Sequence, residues 1–282
     1  MGTGLGMGSA TGAMMGTVMG TVMGTVIFIG AGPGAADLIT VRGARWLARA
    51  EVVLFDALTD PALRDLAPQA RWVDVGKRGF CDSTGQAAID AMLVRFARAH
   101  RVVVRLKGGD PSVFGRLEEE LEALAAHGIC CEVVPGVTAA IAAAAAMRRP
   151  LTRRGSGRSV SLSTAMTREG PLQGGRSADT EVYYMAGRQL ARLARRLLAA
   201  GWPADAPVCV VSRAGWPDQV GSDHRLSGLA EAALLHAGRP TVVTVGAGAR
   251  PVGAGAVSVG DAAPLAERHS ATVAAQNQPA FR

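Results

Sequence analysis

The sequence predicts an α/β protein of two α/β domains, with a mainly parallel N-terminal sheet, a mixed C-terminal sheet and a ligand cleft between them. From Val26 onward, short apolar segments alternate with segments of helical spacing, which is typical of parallel strands joined by helices. After Leu151 the apolar segments follow one another with fewer helices, which favours a mixed sheet. Hydrophobic residues make up 49% of the 282-residue chain but aromatic residues only 4%, so the core must consist mainly of Ala, Val and Leu.

The first half of the chain contains five predicted strands, in the segments VIFIG, EVVLFD, RWVDVG, RVVVRL and CCEVVPG. Helices are predicted after them, in the segments ADLITVRGARWLARA, PALRDLA, STGQAAIDAMLVRFARAH, VFGRLEEELEALAAHG and VTAAIAAAAAM. Pro61 suits the first position of the second helix, and a Ser or Thr is expected to cap the third. This regular alternation predicts a parallel sheet covered by helices.

The second half is predicted to form strands at SVSLST, TEVYYMAG, PVCVVSRAG and TVVTVGAG, with helices at RQLARLARRLLAAG and LSGLAEAALLHAG. We place an N-terminal α/β domain at residues 25–140 and a C-terminal α/β domain at residues 141–250. Residues 1–24, with their repeated Met-Gly-Thr-Val, are expected to be disordered, and residues 251–282 to form a loose tail. The repeat is typical neither of a signal peptide nor of a membrane span, so we expect a cytoplasmic protein without a membrane partner.

The formal net charge of +7 leaves two interpretations open, a solvated basic surface or an anionic partner such as nucleic acid or a polyacidic small molecule. The chain has no dense run of Lys and Arg with interleaved aromatic residues, which argues against single-stranded nucleic acid. Cys81, Cys130, Cys131 and Cys209 lack CxxC spacing and are expected to be core thiols, the middle two on a buried strand. The five histidines are scattered, so no metal site is expected.

Loops rich in glycine or charge follow four of the predicted strands. The first, GAGPGAADL at 30–38, fits the G-x-G-x-x-A pattern of nicotinamide and flavin enzymes, although Pro33 removes one N–H from it. The second contains Asp56, which either faces a ligand or caps the next turn. The third contains Lys77, which either faces an anionic ligand or is a solvated turn residue.

The fourth loop, RLKGGDPSVFGR, carries the most unusual chemistry. Gly108 and Gly109 allow the backbone to approach a ligand closely, and Asp110 can accept hydrogen bonds from it. Arg116 is expected near a helix N-terminus, where the helix dipole disfavours a cation, so it needs an anion from a glutamate or a substrate. Because parallel strands end at one edge of their sheet, the four loops are expected to line a common site.

The motifs GAGPGAADLIT, VLFD, VGKRG, RLKGGDPSVFGR, VVPGVTAA, PLTRR and VYYMAG occur in this order. Together they resemble the uroporphyrinogen-III C-methyltransferases of the tetrapyrrole methylase superfamily, from Val26 to Gly248. The resemblance implies transfer of two methyl groups from S-adenosylmethionine to uroporphyrinogen III, giving precorrin-2 by way of precorrin-1, with S-adenosylhomocysteine as the second product. It also implies a homodimer that serves cobalamin, siroheme or haem d1 synthesis.

The resemblance also assigns roles to individual residues. Contacts to S-adenosylmethionine are implied for Pro33, Gly108, Gly109, Asp110, Val113, Thr138, Ala139, Met185 and Ala214. Catalytic or substrate-binding roles are implied for Asp56 (proton acceptor), Lys77 (proton donor), Arg116, Glu119 and Arg154. The substrate is polyacidic, which gives the arginines and the basic charge a small-molecule partner instead of nucleic acid.

The chain departs from the family pattern near the expected substrate contacts. Arg153 replaces a histidine, Leu117-Glu118 replaces Gly-Gly, and Ala214-Gly215 stands in a segment that is usually Asn-Ala-Thr or Asn-Gly-Thr. Two alternatives within the superfamily therefore stay open, another precorrin methyltransferase of the corrin pathway and a ribosomal RNA methyltransferase. A nicotinamide oxidoreductase rests on the first loop alone, and a non-catalytic interaction protein would leave all four loops unexplained.

Overall fold

The computed structural model describes residues 23–76, 85–166 and 174–252. The predicted low-complexity segment up to residue 22, the loop with Lys77, and the predicted tail from residue 253 lie outside the described residues. At the start of the described chain, the backbone N–H of Gly24 donates to the carbonyl of Ala97 over 2.8 Å. Within the described residues, no helix is both long and apolar enough to cross a bilayer.

The first sheet is entirely parallel, as predicted. Its strands are β1 (Thr25–Gly30), β2 (Val52–Phe55), β3 (Arg71–Asp74), β4 (Val102–Lys107) and β5 (Cys131–Val134), in the spatial order β3-β2-β4-β1-β5. β1 and β4 are central strands with helices over the sheet, so almost all of their residues are buried. The loops after β1 and β4 therefore leave the sheet side by side.

The helices of the first half are shorter than their patterns predict. They are α1 (Val41–Leu47), α2 (Gln86–Ala99), α3 (Leu117–Ala125) and α4 (Ala139–Ala146). The segments Ala36–Leu38 and Pro61–Leu66 are 3₁₀ helices. The predicted Ser or Thr cap of α2 is wrong, because its N-cap is Gly85, which has no side chain to accept a hydrogen bond. Thr40 does cap α1, since its hydroxyl accepts from the N–H of Gly43.

The second sheet is mixed, as predicted, but it contains one strand that the sequence reasoning missed. Its strands are β6 (Val160–Thr164), β7 (Thr180–Tyr184), β8 (Pro207–Ser212), β9 (Val220–Arg225) and β10 (Thr241–Gly246), in the order β6-β7-β10-β8-β9. β6 and β7 are parallel and the other pairs are antiparallel. The missed strand, β9, lies at the edge of the sheet, where the polar sequence VGSDHR can face water.

One strongly amphipathic helix covers the second sheet. α5 (Leu190–Ala199) buries Leu190, Leu193, Ala194 and Leu197 and turns its arginines outward. The other predicted helix is mainly the 3₁₀ segment Leu226–Ala232, followed by one α-helical turn, α6 (Ala233–His236).

The two sheets are joined through α4. Its buried alanines pack in one cluster with Val182 and Tyr184 of β7 and with Val211 and Val242 of the neighbouring strands. Alanine side chains are short, so this helix can lie close to the second sheet while its N-terminus stays beside the ends of the first. The predicted domain boundaries at residues 140 and 250 stay predictions.

The expectation that the cysteines are core thiols is wrong for two of them. Cys130 and Cys131 are exposed, whereas Cys209 is buried. The reason is the position of β5, which is an edge strand of the first sheet and not a central one. Cys81 lies outside the described residues.

Candidate active site

The loops after β1 and β4 are joined by their backbones at the carboxyl edge of the first sheet. Gly109 N–H donates to Gly32 O over 2.7 Å, and Gly32 N–H donates back to Gly109 O over 3.3 Å. Both residues have positive φ angles, 81° at Gly32 and 72° at Gly109, which glycine adopts without strain. Two of the loops predicted to share a site therefore do meet.

The first loop offers fewer N–H donors to a pyrophosphate than its glycine pattern suggests. Ala31 N–H donates to Lys107 O, and Ala36 N–H donates to a carboxylate oxygen of Asp60. Gly32 N–H is used in the pair with Gly109, and Pro33 has no N–H. Three N–H groups of the loop are thus engaged and a fourth is absent, which weakens the basis of the oxidoreductase hypothesis.

Asp110 ties the fourth loop to the loop after β5. Its Oδ1 accepts from Ser112 N–H and its Oδ2 from Gly136 N–H, each over 2.8 Å. Each carboxylate oxygen can accept a second hydrogen bond, so Asp110 keeps acceptor capacity for a ligand hydroxyl or amino group. Gly136 packs so tightly here that a Cβ on it would lie 2.3 Å from Gly109 O.

Several of the predicted cofactor residues converge beside this edge. Val113, Ala139 and Ala214 pack in the cluster that α4 forms with the second sheet. Met185 follows β7 with a φ of 57° and is partly exposed. Trp216 Nε1 donates to Pro33 O over 3.1 Å and so fixes the first loop to the second sheet. The result is a largely apolar surface, shared by the loop after β4, α4 and the second half of the chain, next to the polar backbone of the glycine loops.

Thr138, another predicted cofactor residue, is the N-cap of α4, and its hydroxyl is not used to cap the helix. Instead its Oγ1 lies 2.8 Å from the hydroxyl of Tyr184 at the end of β7. The edge of the Phe114 ring packs on Tyr184, with ring centroids 5.1 Å apart. Tyr184 was missed by the sequence reasoning, although it lies within the VYYMAG motif.

Asp56, the predicted proton acceptor, is held by an arginine of the neighbouring strand. Arg105 Nη2 donates to Asp56 Oδ1 over 2.6 Å, while Arg105 Nε donates to Glu120 Oε1 over 2.9 Å. The second oxygen of Glu120 accepts from Lys107 Nζ over 2.6 Å. Asp56 remains 32% exposed, so its carboxylate faces both the buried network and the open side.

Burial and neighbouring charges shift the pKa values of both cations in this network. Burial, and then the charge of Arg105, lower the pKa of Lys107 below its ordinary value, against the opposing effect of Glu120. Burial would also lower the pKa of Arg105, but Asp56 and Glu120 together raise it above its ordinary value. Arg105 is therefore a permanent cation, while Lys107 holds its proton less firmly than an exposed lysine.

The sequence reasoning singled out none of Arg105, Lys107 and Glu120 as functional residues. The signal was the two cations within the otherwise apolar VVVRLK segment. A central parallel strand is covered on both of its faces, so its charged side chains are buried. Buried charges need an opposite charge or hydrogen-bond partners. Glu120 carried no such signal, because glutamates in a first helical turn are usually explained by the helix dipole.

Arg116 has the anion that its position demands. It is not within the helix but is the N-cap of α3, with a φ of 55°, and its Nε donates to Glu119 Oε1 over 2.9 Å. Desolvation raises the pKa of Glu119, but the hydrogen bond from Arg116, a backbone hydrogen bond and the charges of Arg116 and Lys107 together hold that pKa below the ordinary value. Both side chains are nearly half exposed, so the pair is open to a substrate.

Arg154 is exposed in a turn that is anchored to the second sheet. Backbone hydrogen bonds between Arg153 and Gly157 close the turn, and Leu151 O accepts from the Thr180 hydroxyl of β7. The Arg153 side chain bonds to the carbonyl of Arg250. Among the residues described, no group of three or more His, Cys, Asp or Glu is arranged to hold a metal ion.

Comparison with known proteins gives one consistent result. The family model of tetrapyrrole (corrin/porphyrin) methylases matches residues 25–230. The chain is 47% identical to the uroporphyrinogen-III C-methyltransferase of Pseudomonas aeruginosa over 190 residues, which cover 66% of this chain and 78% of that protein. It is 42% identical to a siroheme synthase of Neisseria meningitidis over 224 residues, 77% of this chain but only 46% of the longer relative.

Solved structures agree with this result. The uroporphyrin-III C-methyltransferase of Thermus thermophilus superposes with a TM-score of 0.69 at 36% identity, covering 79% of this chain and 97% of that one. Its complex with S-adenosylhomocysteine superposes with a TM-score of 0.68. The paired sheets, the glycine loops at their junction and these similarities lead to one conclusion: the chain belongs to the tetrapyrrole methylase family.

Proposed function

We propose that this chain is an S-adenosylmethionine-dependent C-methyltransferase that converts uroporphyrinogen III to precorrin-2 through precorrin-1. The observation that carries the proposal is the pairing of Gly32 with Gly109 beside Asp110, where the first sheet meets the second. The Pseudomonas relative, named uroporphyrinogen-III C-methyltransferase, and the Thermus relative, named uroporphyrin-III C-methyltransferase, support it.

The residues present fit S-adenosylmethionine better than a nucleotide with phosphates. In the first loop the N–H groups of Ala31, Gly32 and Ala36 are engaged and Pro33 has none, which disfavours a phosphate, but S-adenosylmethionine has no phosphate to bind. Asp110 retains acceptor capacity for hydroxyl or amino groups, and Val113, Ala139 and Ala214 offer apolar surface for an adenine ring. We propose that these residues, with Pro33, Gly108, Thr138 and Met185, hold the co-substrate.

The reaction needs positioning and proton transfer more than covalent help from the protein. S-adenosylmethionine supplies an electrophilic methyl group, so a ring carbon of the substrate forms the new C–C bond as the C–S bond breaks and S-adenosylhomocysteine leaves. The cationic ring system that this leaves then returns to neutrality by losing a proton from another of its atoms. We propose that Asp56, which Arg105 holds in place, accepts that proton, and that Lys77 serves as the proton donor.

The substrate's carboxylates explain the exposed cations. Arg116 presents its guanidinium beside Glu119, and Arg154 lies exposed in the turn after α4. Arginine can bind carboxylates through two parallel hydrogen bonds, which lysine cannot do. We propose that both arginines bind substrate carboxylates, and that Arg153, in place of the family's histidine, adjusts these contacts.

Two alternatives differ only in the methyl acceptor. Another precorrin intermediate would use the same co-substrate site. Ribosomal RNA, a polyanion, would be attracted by the net charge of +7. The RNA alternative predicts binding that weakens steeply with salt. We favour uroporphyrinogen III because the Pseudomonas relative is named for it and the Thermus relative for uroporphyrin III, and this chain covers most of the length of both. We further propose a cytoplasmic homodimer that serves cobalamin, siroheme or haem d1 synthesis.

The proposal is tested by comparing acceptors in one anaerobic assay with methyl-labelled S-adenosylmethionine. Uroporphyrinogen III, later precorrins and ribosomal RNA are offered separately to the purified chain, and binding of S-adenosylhomocysteine is measured by calorimetry. Label in uroporphyrinogen III supports the proposal, whereas label only in RNA or in a later precorrin contradicts it. In a second arm, Arg116→Ala should weaken the use of uroporphyrinogen III while calorimetric binding stays intact.

A further inference from the structure

Four charged side chains form a continuous chain of ion pairs from the open edge of the first sheet into its core. Asp56 pairs with Arg105, Arg105 with Glu120, and Glu120 with Lys107, over distances of 2.6, 2.9 and 2.6 Å. The side chains of Arg105 and Lys107 are 3% exposed and that of Glu120 is 0% exposed. Only Asp56 reaches the surface.

Stability alone does not explain such a cluster. Desolvating two cations and a carboxylate is costly, and well-packed apolar side chains often serve a core equally well. This cluster lies where the proposed site is, at the carboxyl ends of β2 and β4. Moreover, Arg105 is held at three atoms, because its Nη1 also donates to Leu106 O over 3.2 Å. The guanidinium cannot turn without breaking several hydrogen bonds.

We propose that Glu120 is a positioning residue for methyl transfer: it clamps Arg105, which in turn fixes the carboxylate of Asp56 at the site. The inference rests on the proposed function, since it gives Asp56 a reaction to serve. Glu120 is suited to this task because it lies on α3, a regular helix, and its two oxygens hold two cations at once. Lys107 balances the second oxygen and keeps the carboxylate oriented.

The geometry distinguishes three substitutions of the cluster. In Glu120→Gln, an amide oxygen can still accept from Arg105, but the amide NH₂ faces the Lys107 ammonium, which has only donors. In Glu120→Ala, Arg105 loses its acceptor altogether. The double variant Lys107→Met with Glu120→Gln no longer places two donors, the amide NH₂ and the ammonium, against each other. One charge of each sign has been removed, and Arg105 keeps the amide oxygen as its acceptor.

The test measures kcat, KM and S-adenosylhomocysteine binding for these variants, with Glu122→Gln, an exposed glutamate of the same helix, as the matched control. We expect Glu120→Ala to lower kcat roughly 10- to 100-fold, because small displacements of catalytic groups cost that much. Binding of S-adenosylhomocysteine should stay within about twofold, and Glu122→Gln should match the wild type. The double variant should recover most of kcat.

A pH profile adds a signature that a purely structural role would not give. The pKa of Lys107 is already lowered by burial, so its proton is lost more readily as the pH rises. Once neutral, the Lys107 amine can accept from the side-chain amide that Glu120→Gln introduces. The two groups then no longer repel each other, and the amide oxygen can hold Arg105 in the wild-type position. The kcat of Glu120→Gln should therefore rise toward that of the wild type at alkaline pH. Glu120→Ala should show no such recovery.

A second readout does not depend on the substrate. In protein labelled with ¹⁵N-arginine, the clamped Nε–H of Arg105 should exchange slowly with solvent, with Arg105→Lys identifying its signal. We expect this protection in the wild type and in the double variant, and its loss in Glu120→Ala. Persistent protection in Glu120→Ala, or an unchanged kcat in that variant, overturns the inference. If the wild type fails to methylate uroporphyrinogen III, the proposed function fails, while the exchange measurement still decides whether Glu120 positions Arg105.

Discussion

The hydroxyl of Tyr184 lies 2.8 Å from the hydroxyl of Thr138, so a residue of the second sheet is bonded directly to the N-cap residue of α4. Tyr184 is buried, whereas Thr138 is a proposed contact of S-adenosylmethionine. The second sheet thus holds the proposed co-substrate site in position through one hydrogen bond as well as through packing.

Tyr184→Phe removes this hydrogen bond and should weaken S-adenosylhomocysteine binding about fivefold, since one such bond contributes roughly 1 kcal/mol. Calorimetry at constant pH measures the change. Thr138→Val removes the other hydroxyl, so the double variant should bind no more weakly than the weaker single variant. Additive losses would mean that the two hydroxyls act separately.

Gly136→Ala should disrupt the junction of the three glycine loops. The added Cβ would lie 2.3 Å from Gly109 O and 2.7 Å from Gly30 Cα, and both of these are backbone atoms that cannot rotate away. We expect a loss of about 1–3 kcal/mol in unfolding free energy, typical of overpacking, and at least about tenfold weaker S-adenosylhomocysteine binding. Gly175→Ala is the control, because its Cβ would meet nothing within 4 Å. Equal behaviour of the two variants would contradict the tight junction.

Glu120→Ala should lower the free energy of unfolding by roughly 3–5 kcal/mol, because it leaves two buried cations with one partner fewer. Chemical denaturation of this variant and of Glu122→Gln provides the comparison. The double variant Lys107→Met with Glu120→Gln should lose much less. A loss below about 1 kcal/mol in Glu120→Ala would show that the buried pairs contribute little.

The same variant should respond to alkaline pH. Glu120 raises the pKa of Lys107 against burial, so without Glu120 that pKa falls further below its ordinary value of 10.5. Between the lowered pKa and 10.5 the unfolded chain binds the proton more tightly than the folded chain. Unfolding free energy therefore rises with pH in this window, by up to about 1.4 kcal/mol per unit. The wild type should show the same rise over a narrower window, because Glu120 keeps the pKa of Lys107 closer to 10.5, and equal windows in the two proteins would refute this assignment.

A buried histidine gives a separate pH dependence on the acidic side. Burial, and then the nearby His224 and Arg239, lower the pKa of His236 to about 4. Arg239 Nε donates to Ser212 Oγ, which lies 2.8 Å from His236 Nδ1, and Ser222 Oγ lies 2.8 Å from His236 Nε2. A neutral imidazole fits this chain, because one ring nitrogen can accept from a hydroxyl while the other donates to one.

Unfolding free energy should consequently fall as the pH is lowered from about 6.5 to about 4, because the unfolded chain takes up the proton first. Above this window His236 is neutral in both states and contributes no pH dependence. Urea denaturation of the wild type and of His236→Gln across this range measures the difference. The slope should be shallower in His236→Gln, and identical slopes would contradict the assignment.

The general fold could be predicted from the sequence because its strands are apolar and regularly spaced. β9 escaped prediction because an edge strand can be polar, and Cys130 and Cys131 were misjudged because nothing in CCEVV reveals that β5 is at the edge. The ends of α3 were also misjudged, since Phe114 and Arg116 adopt positive φ angles that residues of this kind rarely take.

The sequence predicted that loops at the strand ends would meet, but it did not predict the ion pairs beside them. Glycines and charged residues at strand ends can be recognised from local sequence, and the Gly32–Gly109 pair lies where they indicated. The bond between Arg105 and Asp56 joins residues 49 positions apart and depends on β2 and β4 being neighbours. That adjacency follows from the strand order, which the local pattern does not contain.

The most direct measurement is the number and position of methyl groups that the chain adds to uroporphyrinogen III. The purified chain is incubated anaerobically with ¹³C-methyl S-adenosylmethionine, and the products are analysed by mass spectrometry and carbon NMR. We expect a singly methylated intermediate followed by a product with two new methyl groups, both on ring carbons. No methylation of uroporphyrinogen III, despite calorimetric binding of S-adenosylhomocysteine, would contradict the proposed substrate.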